Sequence, residues 1–129
     1  MAKTILVVED NELNLQLMVA ILGHYGYEVL EARNGAQAML IVRRQPIDLM
    51  LMENTARFMS CYEAGKRTRA EKRIAGIKII TVTSFALSEE KTRIMATGVD
   101  GFIAKPIDTR EFPQIIQQML ESDSSEQGE

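Results

Sequence analysis

The apolar positions along the chain fall into two kinds of segment. Short runs rich in β-branched or long apolar residues occur at Thr4–Val8, Tyr27–Leu30, Ile47–Met52, Ile77–Thr83 and Gly101–Ala104. Between and after them lie longer stretches with helical spacing. Leu13, Leu17, Ala20 and Ile21 form one stripe, and Phe112, Ile115, Ile116, Met119 and Leu120 form another at i, i+3, i+4, i+7 and i+8. Capping residues stand at the expected boundaries. Asn11 precedes the first helix, Arg33 or Asn34 the second, and Ser88 with Glu89 and Glu90 opens the fourth. Asp108 with Glu111 three residues on has the form of a capping box for the last helix, and Gly26 and Gly98 stand at C-terminal stop positions. Pro113 is out of place for a helix begun at that box. Either the helix starts later or it bends in its first turns.

Strands alternating with helices give a (βα)5 arrangement, an α/β fold with a parallel sheet covered by helices on both faces. Three of the runs are apolar almost throughout, as strands buried on both sides must be. The run Tyr27–Leu30 is short, carries Glu28 and is followed by Glu31, which suits a sheet edge. Right-handed crossovers then favour strand order 2-1-3-4-5.

Composition narrows the possibilities. The 129 residues are enough for one domain, expected over 1–121, with 122–129 a polar acidic tail lacking any apolar anchor. A net charge of −3 has the wrong sign for a general nucleic-acid or membrane-surface binder. The single cysteine, Cys61, offers neither an internal disulfide nor a zinc site. No apolar run approaches a membrane span and no cleavage-type leader is visible, so the expectation is a cytoplasmic protein.

In an open parallel sheet, ligands bind beyond the carboxyl ends of the strands, so the strand ends carry the chemistry. The first ends in Glu9-Asp10, the third in Glu53, the fourth in Thr83-Ser84, and the fifth delivers Lys105-Pro106. Three carboxylates, a hydroxyl and an ammonium should converge on one edge. Such a cluster needs a cation to offset its repulsion, either a hard metal ion such as Mg²⁺ or a lysine.

The same residues resemble a protein family. Ile5-Leu6-Val7-Val8-Glu9-Asp10-Asn11 looks like the opening of a bacterial response-regulator receiver domain. So do Gly26-Tyr27-Glu28-Val29, Asn34-Gly35-Ala36-Gln37-Ala38, Pro46-Ile47-Asp48-Leu49, Val82-Thr83 and Gly101-Phe102-Ile103-Ala104-Lys105-Pro106-Ile107. The likeness spans residues 3–121 and is nearest to single-domain receivers. It implies a flavodoxin-like (βα)5 fold and a role in two-component phosphorelay signalling rather than an enzyme's. By the resemblance, Glu9 and Asp10 match the acidic pair that holds Mg²⁺. Thr83 matches the hydroxyl that turns toward a phosphoryl group, Phe102 the aromatic whose rotamer follows it, and Lys105 the lysine that contacts its oxygens. The implied partners are a histidine kinase or other signalling proteins, with a homodimer as a further possibility, and neither nucleic acid nor membrane.

The departures from the family pattern are local. Its phosphoacceptor is an aspartate, whereas this chain has Glu53. Arg57 stands at the position of the usual proline, and Cys61 at that of the usual glycine. Glu53 keeps the −1 charge but reaches one methylene, roughly 1.5 Å, further. In-line phosphoryl transfer tolerates little misplacement, so an acyl phosphate on Glu53 is not expected. The expectation is an atypical receiver acting by protein–protein contact. Glu9, Asp10 and Glu53 are the candidate, low-affinity Mg²⁺ ligands, and Arg57 is the side chain that could displace the ion.

Two alternatives belong to other classes. One is a dimerisation scaffold whose pocket is a relic. The other is a flavodoxin-like cofactor binder, which the run Glu9-Asp10-Asn11-Glu12 opposes by repelling phosphate. The remaining features have plain explanations. Lys66, Arg67, Arg69, Lys72 and Arg73 make a basic, solvated third helix and exit. His24 is a surface residue, and Met50 and Met52 are core filling.

Overall fold

A computed structural model describes residues 2–53, 68, 70–72, 74, 76–83, 99–105 and 107–121. The elements in chain order are β1 (Thr4–Val8), α1 (Glu12–His24), β2 (Glu28–Ala32), α2 (Gly35–Arg44), β3 (Leu49–Glu53), β4 (Lys78–Thr83), β5 (Gly101–Ala104) and α3 (Glu111–Glu121). The five strands pair in parallel in the order β2-β1-β3-β4-β5. Acid-bearing β2, equal in length to β1 and β3, is an edge, and the central strands are buried on both faces. The predicted third and fourth helices, with Ser88, Glu89, Glu90 and Gly98, lie outside the described residues apart from helical Thr68 and Ala70.

The sheet separates two cores because successive strand side chains point to opposite faces. One holds Leu6, Val8, Met39, Met50, Met52 and Ile79 with α2. The other holds Ile5, Val7, Leu51, Ile80 and Val82 with α1 and α3. Met50 and Met52 are fully buried, each worth about 1.5–3 kcal/mol on removal from water. The stripe of α3 packs as its spacing predicts, with Phe112 and Ile116 buried and Ile115, Met119 and Leu120 partly so.

On α1 the expected stripe is not the buried one. Leu15, Met18 and Leu22 face the sheet, while Leu13 is 82% exposed, Leu17 43%, and Ala20 lies on the surface. Only Ile21 of the predicted set packs against the core. The helix is apolar on two faces, so periodicity alone does not choose between them. Packing against β1 and α3 makes the choice, while the start of the helix is set by the Asn11 side chain, which accepts the Asn14 N–H at 3.0 Å.

Other boundaries follow local chemistry. Asn34, not Arg33, caps α2 by accepting the Gln37 N–H at 2.9 Å. Helix α1 ends in a paired motif in which Tyr27 N–H donates to Leu22 and Gly26 N–H to Gly23, with Gly26 at φ 90°. Asp108 Oδ1 accepts the Arg110 and Glu111 N–H groups, and α3 proper begins at Glu111. Pro113 is therefore the third residue of α3, where an N–H has no partner within the helix, and the later start resolves the conflict. Two aspartates tie the amino ends of the strands. Asp48 accepts the Thr4 N–H and Asp100 the Ile79 N–H, each at 2.8 Å.

Candidate functional site

Parallel pairing in register brings chosen strand ends to one edge. Val8 lies beside Met52, Glu53 beside Val82, and Thr83 beside Ala104. The next residues outward on β1 and β5 are Glu9-Asp10 and Lys105, so the expected convergence at the carboxyl edge is met by the backbone. Glu9 stays tied to the sheet through its N–H, which donates to Ala32 at 2.9 Å.

The side chains bear this out for three groups. Glu9 and Glu53 are each only 1% exposed, and Lys105 forms an ion pair with Glu53 Oε2 while remaining 25% exposed. Two buried carboxylates thus lie near one ammonium, which pairs with Glu53 and acts on Glu9 only through its charge. Glu9 Oε2 accepts the Asn11 N–H at 3.0 Å, whereas Oε1 is buried with no hydrogen-bond partner among the described residues. Burial raises the Glu9 pKa from its ordinary 4.5, and the Glu53 and Asp10 charges push the same way. The Asn11 hydrogen bond and Lys105 pull against them. Asp10 is half-buried beside this cluster.

Other candidate positions are less complete. Thr83 ends β4, and its side chain is outside the described residues, as are Arg57, Cys61 and Pro106. Phe102 is half-buried and packs on the core that contains Met50 and Ile79. His24 is exposed, as expected, and stacks edge-on with Tyr25. The sequence reading missed that Asn11 serves two ends at once. Its side chain caps α1 and its N–H holds Glu9, a link that the adjacency Glu9-Asp10-Asn11 could have suggested.

The orphaned Glu9 oxygen and the excess of carboxylate charge fit a hard cation. A ready ligand set of three is nevertheless not formed among the described residues, because the Glu53 carboxylate is held by Lys105. A separate cavity of about 540 Å³ opens at the opposite, amino edge of the sheet. Its lining includes Arg43, bound to Glu71, and Asp48, bound to Thr4, so these charges are already engaged.

Comparison with known proteins agrees with this geometry. The model of the response regulator receiver domain matches residues 5–117. The chain belongs to the response regulator receiver family. Similar receivers include the polar-differentiation response regulator DivK of Brucella anthropi, 34% identical over 120 residues, covering 93% of this chain and 98% of that one. A second is the receiver domain of the sensor histidine kinase PA1611 of Pseudomonas aeruginosa. It is 30% identical with TM-score 0.88, covers 95% of this chain and 100% of that one, and is described with a magnesium ion in its active-site cleft. A putative response regulator of Chloroflexus aurantiacus, at TM-score 0.90 and 21% identity over 94% of this chain and 99% of that one, shares the fold. Receivers of this family are signalling modules of two-component systems. Among the described residues no helix is long and apolar enough to cross a membrane.

Proposed function

We propose that this receiver is atypical: it acts by contact with signalling proteins, and the Glu53–Lys105 ion pair takes the place of phosphorylation at the end of β3. The observation that carries this is a buried glutamate, at the family's phosphoacceptor position, already neutralised by the lysine that would otherwise meet a phosphoryl group. Glu53 imitates part of a phosphorylated aspartate through its reach and charge. It lacks the charge of about −2 and the three acceptor oxygens of a phosphoryl group.

In this reading the chain is a cytoplasmic regulator rather than an enzyme. Its partners are a histidine kinase or other signalling proteins, in keeping with relatives that are response regulators by name, without nucleic acid or membrane. Glu9 and Asp10 are the residues that would hold Mg²⁺, as an ion is held in the PA1611 receiver. Bound there, the ion would neutralise carboxylate charge that Lys105 leaves uncompensated.

The test is intact-protein mass spectrometry after treatment with acetyl phosphate or a histidine kinase. The wild type gains no phosphoryl mass. Glu53→Asp alone does not restore full acceptance, because Arg57 and Cys61 also depart from the family pattern. An added phosphoryl group on Glu53 of the wild type overturns the proposal.

A further inference from the structure

The cavity at the amino edge of the sheet takes no part in the carboxyl-edge site. Its floor is Val42, Ile47, Ile74 and Ile77, each less than a tenth exposed, so a guest meets chiefly the polar rim. On that rim Arg43 is engaged by Glu71 and Asp48 by the Thr4 N–H. Exposed Arg44 and Gln45 also line it, and their guanidinium and amide donors have no partner among the described residues. The surrounding edge has the same sign. Exposed Lys3 precedes β1, exposed Lys72 lies shortly before β4, and half-buried Lys78 begins it. Asp48 and Asp100 there are tied to backbone N–H groups and Glu71 to Arg43, which leaves Glu28 as the carboxylate opposing these cations.

We propose that the acidic segment 122–129 of this chain folds back along the amino edge and seats in this cavity. Asp123, Glu126 and Glu129 account for the whole net charge of −3, so residues 1–121 are balanced and the segment complements the cationic edge. Its other residues, Ser122, Ser124, Ser125, Gln127 and Gly128, are small or hydrogen-bonding, with no apolar side chain. A polar rim over a barely exposed floor suits such a segment better than an amphipathic helix, which needs an apolar groove.

The fold also delivers the segment to the right place. Helix α3 starts beyond the carboxyl edge and runs back to the amino edge. Leu120 packs on the same core as Tyr27, and burial and then the Glu121 charge raise the Tyr27 pKa, so α3 ends beside the start of β2. Thr4 pairs with Glu28 of β2, and its N–H meets Asp48 of the cavity rim. The route thus crosses two strand steps, about 10 Å, and the stretch from Glu121 to Glu126 spans up to about 17 Å when extended. Lys3 stands along it and Arg44 at its end. Each exposed ion pair is weak, but tethering supplies the segment at an effective concentration of about millimolar.

Heteronuclear NMR of the full chain reads the contact. A full-length variant with Asp123→Asn, Glu126→Gln and Glu129→Gln differs from wild type at the amides of residues 43–45, 47, 48 and 76–78. In the wild type the same amides move to the variant's positions as NaCl rises to about 0.5 M, where exposed charges are screened. Arg44→Glu brings the amides of 123–129 to their high-salt positions while circular dichroism stays unchanged. These shifts are the same at about 50 µM and about 500 µM, as an intramolecular contact requires.

A neutralised variant with no shifts at the amino edge overturns the proposal, as do segment amides indifferent to Arg44→Glu. Shifts that grow with concentration assign the cavity to the segment of another copy and overturn it too. Glu53→Gln leaves the contact in place, so its fate is separable from that of the pocket.

Discussion

Glu53 and Lys105 are joined by an ion pair that reaches across β4, from the end of β3 to the residue after β5. Glu53 is buried, while Lys105 keeps a quarter of its side chain in water, so the two members contribute unequally. Removing the lysine strands a buried carboxylate; removing the glutamate frees a lysine that can turn outward.

Lys105→Met accordingly destabilises the protein by about 1–3 kcal/mol at neutral pH, and Glu53→Gln by less. In the double variant the two costs do not add, and a double-mutant cycle from urea unfolding gives a coupling of about 1 kcal/mol. Additive costs would mean that the pair holds nothing together.

Much of the architecture was legible because burial on both faces leaves long apolar runs, and β1, β3 and β4 have them. The edge position of β2 showed in Glu28 and Glu31. Caps at Asn11 and Asp108 were equally plain, since a side-chain oxygen one turn before a helix has few other uses. The face of α1 was not legible. With Leu13, Leu15, Leu17 and Leu22 on opposite sides, hydrophobic period gives two answers, and only packing against β1 and α3 selects Leu15 and Leu22. At the site, strand ends located Glu9, Glu53 and Lys105, but which carboxylate takes the ammonium depends on where each strand end sets its side chain. Glu53 takes it, and Glu9 Oε1 is buried without a hydrogen-bond partner among the described residues.

The pH dependence follows from Glu9. Its folded pKa is raised above the ordinary 4.5, chiefly by burial, so the folded state holds the proton to higher pH than the unfolded state does. Between the two values the folded state binds more protons, and this group's contribution to stability falls as pH rises through that window. Above it the full cost of a buried charged Glu9 remains. Glu9→Gln removes that cost, so the variant gains stability relative to wild type as pH rises from about 4.5 toward neutrality. Urea midpoints of both proteins across that range check it, and a constant difference rejects it.

Magnesium tests the same imbalance from the other side. A cation bound by Glu9 and Asp10 stabilises the folded state in proportion to its occupancy, and Asp10→Asn abolishes the effect. Isothermal calorimetry gives low-affinity Mg²⁺ binding to the wild type and tighter binding to Arg57→Ala if that arginine, as its position in the sequence suggests, competes for the same carboxylates. Equal, tight binding to both would remove Arg57 from the site's account.

The last prediction concerns output. Phe102 is half-buried and packs on the core beside Met50, Ile79 and Val99. It lacks the hydroxyl of a tyrosine, so seating it inward sacrifices no hydrogen bond, and burying a ring of this size is worth about 2 kcal/mol. The resemblance to the family implies that a pocket carboxylate drawing the Thr83 hydroxyl inward would leave room for that ring and so link the pocket to the surface carrying β5 and α3. Loss of the Glu53 charge removes the ion pair with Lys105. Glu53→Gln then lowers affinity for a histidine kinase or other partner by about tenfold, a difference of about 1.4 kcal/mol, while the fold is retained. Phe102→Ala lowers it as well, and the two changes together cost less than their sum, because they act through one route. Partner titrations with the three variants measure this. Wild-type affinity in both single variants would mean that the pocket no longer governs the surface, and the chain would then work as a scaffold around a relic site.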